Sequence, residues 1–156
     1  MDQNCVKELK MFGELKDFEW EELAKLVIEK DFEDGDIIFN QGDESTELYI
    51  LLKGAVDLQI KLAPQLGETT IYPVKLSEIF GEFAFLNPSP RSATARCMKR
   101  TTVGVIDKKA FDDLCKSFPN IGIGFYKYVT RQLIERLRRM NNYVRDVFVR
   151  SCGLEA

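Results

Sequence analysis

Ile79-Phe80-Gly81-Glu82-Phe83-Ala84-Phe85-Leu86-Asn87-Pro88-Ser89-Pro90-Arg91-Ser92-Ala93-Thr94-Ala95 is the stretch on which the reading of this chain turns. Gly81-Glu82 and Arg91 stand on either side of a short loop, with small residues beside each charge. A glycine that opens a helical turn leaves backbone N–H groups free for an anion. The arginine ten positions later returns to the same place as the counter-charge. One guanidinium and one helix start suit a single negative charge such as a phosphodiester, whereas a triphosphate calls for more cations or a metal. Glu82 adds a second requirement, because a carboxylate beside a bound phosphate repels it unless it faces a hydrogen-bond donor, and a sugar hydroxyl is the obvious one. Read singly, Glu82 is an ordinary first-turn acid favoured by the helix dipole and Arg91 a solvated strand residue. Together they predict a pocket for a ligand with a phosphate monoanion and a free ribose hydroxyl.

Phe80-Gly81-Glu82-Phe83-Ala84-Phe85, followed by Pro90-Arg91-Ser92-Ala93-Thr94, resembles the phosphate-binding cassette of the cyclic-nucleotide-binding domains. Such domains occur in the catabolite activator protein, in regulatory subunits of cyclic-nucleotide-dependent kinases and in cyclic-nucleotide-gated channels. Upstream, Phe32-Glu33-Asp34-Gly35-Asp36-Ile37-Ile38-Phe39-Asn40-Gln41-Gly42-Asp43 and Leu48-Tyr49-Ile50-Leu51-Leu52-Lys53-Gly54-Ala55-Val56 are similar to the family's opening strands, with Gly35, Gly42 and Gly54 at its usual turns. The resemblance covers about residues 10 to 150. It implies a mainly β fold with flanking helices, an antiparallel β-barrel or jelly roll (double-stranded β-helix) with a long C-terminal helix.

The resemblance also implies a ligand, cyclic AMP or cyclic GMP; without histidine or clustered cysteines, no other cofactor and no metal is expected. In the cassette it assigns Glu82 to the ribose 2′-hydroxyl and Arg91 to the cyclic phosphate. The backbone around Phe80, Gly81, Phe83, Ala84, Ser92 and Ala93 completes the site. Sliding the family pattern Gln-x-x-x-Arg-Leu over Gln132-Leu133-Ile134-Glu135-Arg136-Leu137 puts Arg136 near the ribose and its glutamate, and Met140 and Asn141 over the purine as a lid. Ser92 stands where guanine-selecting relatives commonly have threonine, which implies a modest preference for cyclic AMP. Ser77 stands where many relatives have glycine in the turn before Phe-Gly-Glu.

Around the cassette the chain alternates short runs of Ile, Leu, Val and Tyr with turn residues at Asp34-Gly35, Gln41-Gly42-Asp43, Lys53-Gly54 and 64–67, the signature of an antiparallel barrel or sandwich. Further strands are expected over 69–74, 92–98 and 101–106, with 63–68 a hairpin loop and Asn87-Pro88-Ser89-Pro90 a rigid connection. Before this region, Leu23, Leu26 and Val27 recur at helical spacing behind a cap at Asp17. After it, Asp107 starts a helix broken at Phe118-Pro119, and a second helix runs from about residue 120 to about 149, roughly 45 Å at 1.5 Å per residue. On that helix Leu133, Leu137, Met140, Val144 and Val147 step by four and three as a heptad seam, while Phe125, Val129 and Ile134 lie off it and are expected to pack on the barrel. A helix with two apolar faces predicts a homodimer.

The 156 residues suit one domain: a helical segment 1–31, the β-barrel with its cassette 32–106 and C-terminal helices 107–150. The composition, 45% hydrophobic and 30% charged with no long apolar run and a polar N-terminus, predicts a cytoplasmic protein without a membrane span or leader. The chain has no histidine, and its cysteines at 5, 97, 115 and 152 form no close pair, so zinc sites, disulfide frameworks and Ser-His-Asp or Cys-His catalysis are not expected. With no P-loop either, the expected class is a binding module and not an enzyme. The arginines of the last helix read as a solvated face, and a helix-turn-helix needs two further helices, so no direct DNA contact is expected. Two other readings stay open: a ligand-free dimerisation domain in which Glu82 and Arg91 pair with each other, and the sensor fragment of a Crp-like transcription regulator. The effector protein is unspecified in all three.

Overall fold

The computed structural model describes residues 15–61 and 67–153. Helix α1 (Asp17–Leu26) precedes strands β1 (Ile28–Phe32), β2 (Ile37–Phe39), β3 (Leu48–Lys53), β4 (Val56–Lys61), β5 (Glu68–Val74) and β6 (Ile79–Phe80). The short helix α2 (Glu82–Leu86) follows, then β7 (Thr94–Cys97), β8 (Thr101–Ile106) and helices α3 (Lys108–Ser117) and α4 (Pro119–Ser151). The strands form two four-stranded antiparallel sheets in the orders β1-β8-β3-β6 and β2-β7-β4-β5. This is the jelly-roll arrangement, with the barrel not closed: each sheet keeps two edges instead of joining into one continuous ring.

Strand β3, in the interior of the first sheet, is buried on both faces, which explains why it reads as the unbroken apolar run Leu48-Tyr49-Ile50-Leu51-Leu52. Tyr49 and Leu51 point toward the second sheet, among Phe39, Val56, Val74, Phe80 and Val103. Leu48 and Ile50 point the other way, into a layer made by Trp20 and Leu23 of α1, Phe85 of α2, Phe111 of α3 and Phe125 and Val129 of α4. Phe85, Phe111 and Phe125 meet edge-on with centroids 4.9 to 5.5 Å apart, the geometry the ring quadrupoles favour. The cassette helix is thereby packed against the long C-terminal helix through one aromatic cluster.

Several local expectations need correction. The cap of α1 is Lys16, not Asp17: the Lys16 N–H donates to Glu19 Oε2 at 2.9 Å, and Asp17 is the first helical residue. Strand structure begins at Ile28, inside the segment assigned to helix. β1 is almost wholly exposed and so lacks a hydrophobic signature, and its register with β8, from Ile28 opposite Val105 to Phe32 opposite Thr101, depends on residues far along the chain. Strand β7 is shorter than the span 92–98. Ile134 is exposed and Leu133 packs on the helical layer in its place, because Ile134 lies five residues after Val129, about 140° round the helix, whereas Leu133 lies about 40° round.

Asp107 caps α3 by accepting from the Ala110 N–H at 2.9 Å, and Pro119 stands at the start of α4. The hairpin loop expected at 63–68 falls largely outside the described residues, but its flanks pair Lys61 with Glu68. Gly35, Gly42 and Gly54 all take positive φ at their turns. Ser77, where a glycine was anticipated from the resemblance, adopts φ 64°, the left-handed conformation that glycine takes without cost. Cys97, Cys115 and Cys152 are free thiols, and Cys5 lies outside the described residues. Among the described residues no helix is long and apolar enough to cross a membrane, and no cluster of His, Cys, Asp and Glu is placed to hold a metal.

Candidate functional site

The cassette is built where β6 ends. Phe80 is fully buried between the sheets and stacks on Tyr49 with centroids 5.3 Å apart. The next residue, Gly81, takes φ 76° as the cap of α2, turning the chain so that Glu82 points inward. A side chain here would also collide: a Cβ at Gly81 would lie 2.6 Å from Arg91 Nη1. Ala84 is buried beneath the helix, while Phe83 is half-exposed on its outer face.

Arg91 is only 3% exposed. Its Nη1 donates to the Gly81 carbonyl, and its Nη2 to Ser45 Oγ and the Glu47 carbonyl, each at 2.8 Å. The guanidinium lies 4.3 Å above the Phe39 ring and 5.4 Å from that of Tyr49. Its backbone N–H donates to the Asp43 carbonyl and its carbonyl accepts from the Gly42 N–H, so the β2–β3 connection holds the arginine from both sides. Of the five guanidinium N–H donors, three are engaged by these bonds, and the buried Nε has no partner among the described residues. A cation this deep, with donor capacity left, can take up a small anion. Ser92 beside it is exposed and Ala93 buried.

Glu82 is 4% exposed, and its partner is Arg136 of α4, whose Nη1 donates to Glu82 Oε1. Arg136 Nη2 also donates to the Ile79 carbonyl at 2.8 Å, and the guanidinium lies 4.5 Å above the ring of Tyr72. The Tyr72 hydroxyl in turn bonds both carboxylate oxygens of Glu78, at 2.9 and 3.1 Å. Burial pushes the Glu82 carboxyl above its ordinary pKa, against the pull of Arg136. Desolvation and the neighbouring Glu78 likewise raise the Tyr72 phenol.

Glu82 and Arg91 therefore do not pair with each other, which corrects the arrangement expected of a ligand-free domain. Arg136 reaches the ribose-assigned glutamate, whereas Met140, 57% exposed, and Asn141 stand about one turn further along α4 on the exposed part of the helix. Ser45, Glu47, Phe39, Tyr72 and Glu78 were not anticipated. The first two support Arg91 from 46 and 44 residues away, and no local pattern marks them. Tyr72 carried only the signal of a strand residue.

A family model described as the cyclic nucleotide-binding domain matches residues 29–118. The chain is 29% identical over 125 residues, 80% of its length and 54% of the relative's, to a CRP-like cAMP-activated global transcriptional regulator of Mycobacterium tuberculosis. It is 30% identical over 115 residues, 72% of its length and 35% of the relative's, to the cAMP-dependent protein kinase regulatory subunit of Dictyostelium discoideum. It thus spans about half or less of the curated relatives named here. In fold it is similar to a cyclic nucleotide-binding domain of Methylobacillus flagellatus KT, with TM-score 0.79 at 23% identity, over 91% of this chain and 79% of that one.

Proposed function

The chain belongs to the cyclic nucleotide-binding domain family, and from that premise we propose that it is a regulatory sensor, not an enzyme, which binds a 3′,5′-cyclic nucleotide in the cassette and signals through α4. The observation that carries this reading is the buried Arg91 beside the left-handed Gly81 turn, with Nε unengaged among the described residues. In the proposed complex Arg91 holds the cyclic phosphate, and the backbone at Gly81, Phe83, Ala84, Ser92 and Ala93 lies against it. Glu82 accepts from the ribose 2′-hydroxyl. Met140 and Asn141 touch the purine only when α4 closes over it, so the ligand favours the closed position by its differential affinity. We place the protein in the cytoplasm.

Titration calorimetry with cyclic AMP, cyclic GMP and 2′-deoxy cyclic AMP tests the reading. Cyclic AMP is expected to bind about threefold to fiftyfold more tightly than cyclic GMP, on the order of 1 to 2 kcal/mol. The Ser92 hydroxyl, the Met140 thioether and the Asn141 amide can accommodate either purine without leaving a buried polar group unpaired. The 2′-deoxy ligand is expected to bind at least about tenfold more weakly than cyclic AMP, because Glu82 then loses its hydroxyl donor. A tenfold preference for cyclic GMP would reassign Ser92 or Asn141. Failure of every nucleotide to bind would favour the dimerisation-domain reading.

The exposure of Leu137, Met140, Val144 and Val147 along one seam of α4 supports a homodimer. Light scattering at tens of micromolar is expected to report a dimer, and Leu137→Glu a monomer. A monomeric wild type, with and without nucleotide, would contradict the assignment.

A further inference from the structure

Arg91 is a buried cation whose close acceptors are all neutral: the Gly81 and Glu47 carbonyls and the Ser45 hydroxyl, each at 2.8 Å. A carboxylate nevertheless stands beside it. Glu47, which offers Arg91 its carbonyl, turns its side chain to other partners: Oε2 accepts from the Tyr49 hydroxyl at 2.6 Å, and Oε1 lies 3.7 Å from Lys30 Nζ. Burial lowers the Arg91 pKa, and the Glu47 carboxylate is near enough to work against that. Of the two groups that hold this carboxylate, Lys30 is half-exposed and holds it weakly. The phenol bond, by contrast, has the length of a charge-assisted one.

Tyr49 is a fixed donor. It is buried in β3, opposite Phe80 in one neighbouring strand and Val105 in the other, and its ring stacks on Phe80 and tilts against Phe39 with centroids 5.4 Å apart. The Arg91 guanidinium rests on the same Phe39 and Tyr49 rings. Desolvation, and then the bond to Glu47, raise the phenol well above its ordinary pKa, so the hydroxyl keeps its proton.

We propose that Tyr49 is a positioning residue of the phosphate subsite: its hydroxyl holds the Glu47 carboxylate away from Arg91, so that the guanidinium stays open to the phosphate of the nucleotide. This rests on the nucleotide reading above. A carboxylate without the phenol would find the buried guanidinium its strongest available partner, since two N–H donors can serve it at once and the charge there is otherwise uncompensated. It would then engage the donors left for the ligand, the unpartnered Nε among them, and a phosphate would have to displace it. One neutral hydroxyl thereby decides which anion Arg91 meets.

Titration calorimetry with cyclic AMP compares wild type, Tyr49→Phe, Glu47→Gln and the double variant, with circular dichroism to confirm each fold. Tyr49→Phe keeps the ring stack and removes only the donor, and it is expected to bind about tenfold more weakly, about 1.4 kcal/mol, because the released Glu47 pairs with Arg91. Glu47→Gln is expected to bind at least as tightly as wild type, since an amide cannot neutralise the guanidinium. In the double variant the loss is expected to vanish, leaving affinity within about twofold of Glu47→Gln. A phenol that merely supports the fold gives no such rescue. Wild-type affinity in folded Tyr49→Phe, or a loss that persists in the double variant, would overturn the proposal. Should Tyr49→Phe fold poorly, Glu47→Gln decides alone: weaker binding by it would show that the carboxylate supports the subsite, and the proposal would fall. Failure of wild type itself to bind would overturn the nucleotide reading and this role with it, whereas binding by wild type without rescue strikes the role of Tyr49 only.

Discussion

Arg91→Lys is expected to weaken cyclic-nucleotide binding by on the order of a hundredfold, about 2.8 kcal/mol, with the protein still folded. An ammonium at the end of a flexible stem keeps the charge but not the planar fork. The fork lets one side chain hold the Gly81 carbonyl, Ser45 Oγ and the Glu47 carbonyl while Nε remains for a phosphate oxygen. Arg91→Ala is the poorer probe. Removing the side chain leaves the partly buried carbonyls of Gly81 and Glu47 without this donor and strips the cover from the Phe39 ring, so a loss of about 1 to 3 kcal/mol of stability accompanies the loss of affinity. Calorimetry on the lysine variant, with circular dichroism to confirm its fold, separates the two effects. Wild-type affinity in the folded variant would remove the phosphate from Arg91.

Gly54→Ala is expected to cost roughly 3 to 5 kcal/mol of stability, and Gly35→Ala only about 1 kcal/mol. Both glycines hold positive φ, 101° and 84°, so both substitutions introduce left-handed strain. The difference lies in what surrounds them. A Cβ at Gly54 would lie 2.4 Å from Thr101 Oγ1 and 2.6 Å from both the Arg100 carbonyl oxygen and Thr101 Cα, and backbone cannot swing aside as a side-chain tip can. At Gly35 nothing lies within 4 Å. The Thr101 hydroxyl at this crossing also bonds the Ala55 carbonyl at 3.2 Å and the Lys99 carbonyl at 2.7 Å, so displacing it breaks further contacts. Urea unfolding of the two variants side by side measures the difference, and equal losses would show that φ strain alone sets the cost.

The two glycines mark the boundary between what can be read locally and what cannot. Their spacing in turns, the apolar runs between them and the Gly81-Glu82 to Arg91 cassette are constraints among near neighbours. The amino-acid sequence alone therefore determined the strand-rich class, the glycine turns, the start of α3 at Asp107 and the break at Phe118-Pro119. Only the tertiary structure decided that the strands form two sheets instead of a closed barrel, that the exposed segment Ile28–Phe32 is a strand, and that the space around Gly54 is closed while that around Gly35 is open. It also decided the partners of the site. Glu82 meets Arg136 across 54 residues of chain, and Arg91 meets Ser45 across 46, because β3, β6 and α4 are packed together by Phe85, Phe111 and Phe125. A buried charge takes whichever counter-group the packing brings within reach, and that choice is made by the fold and not by spacing along the chain.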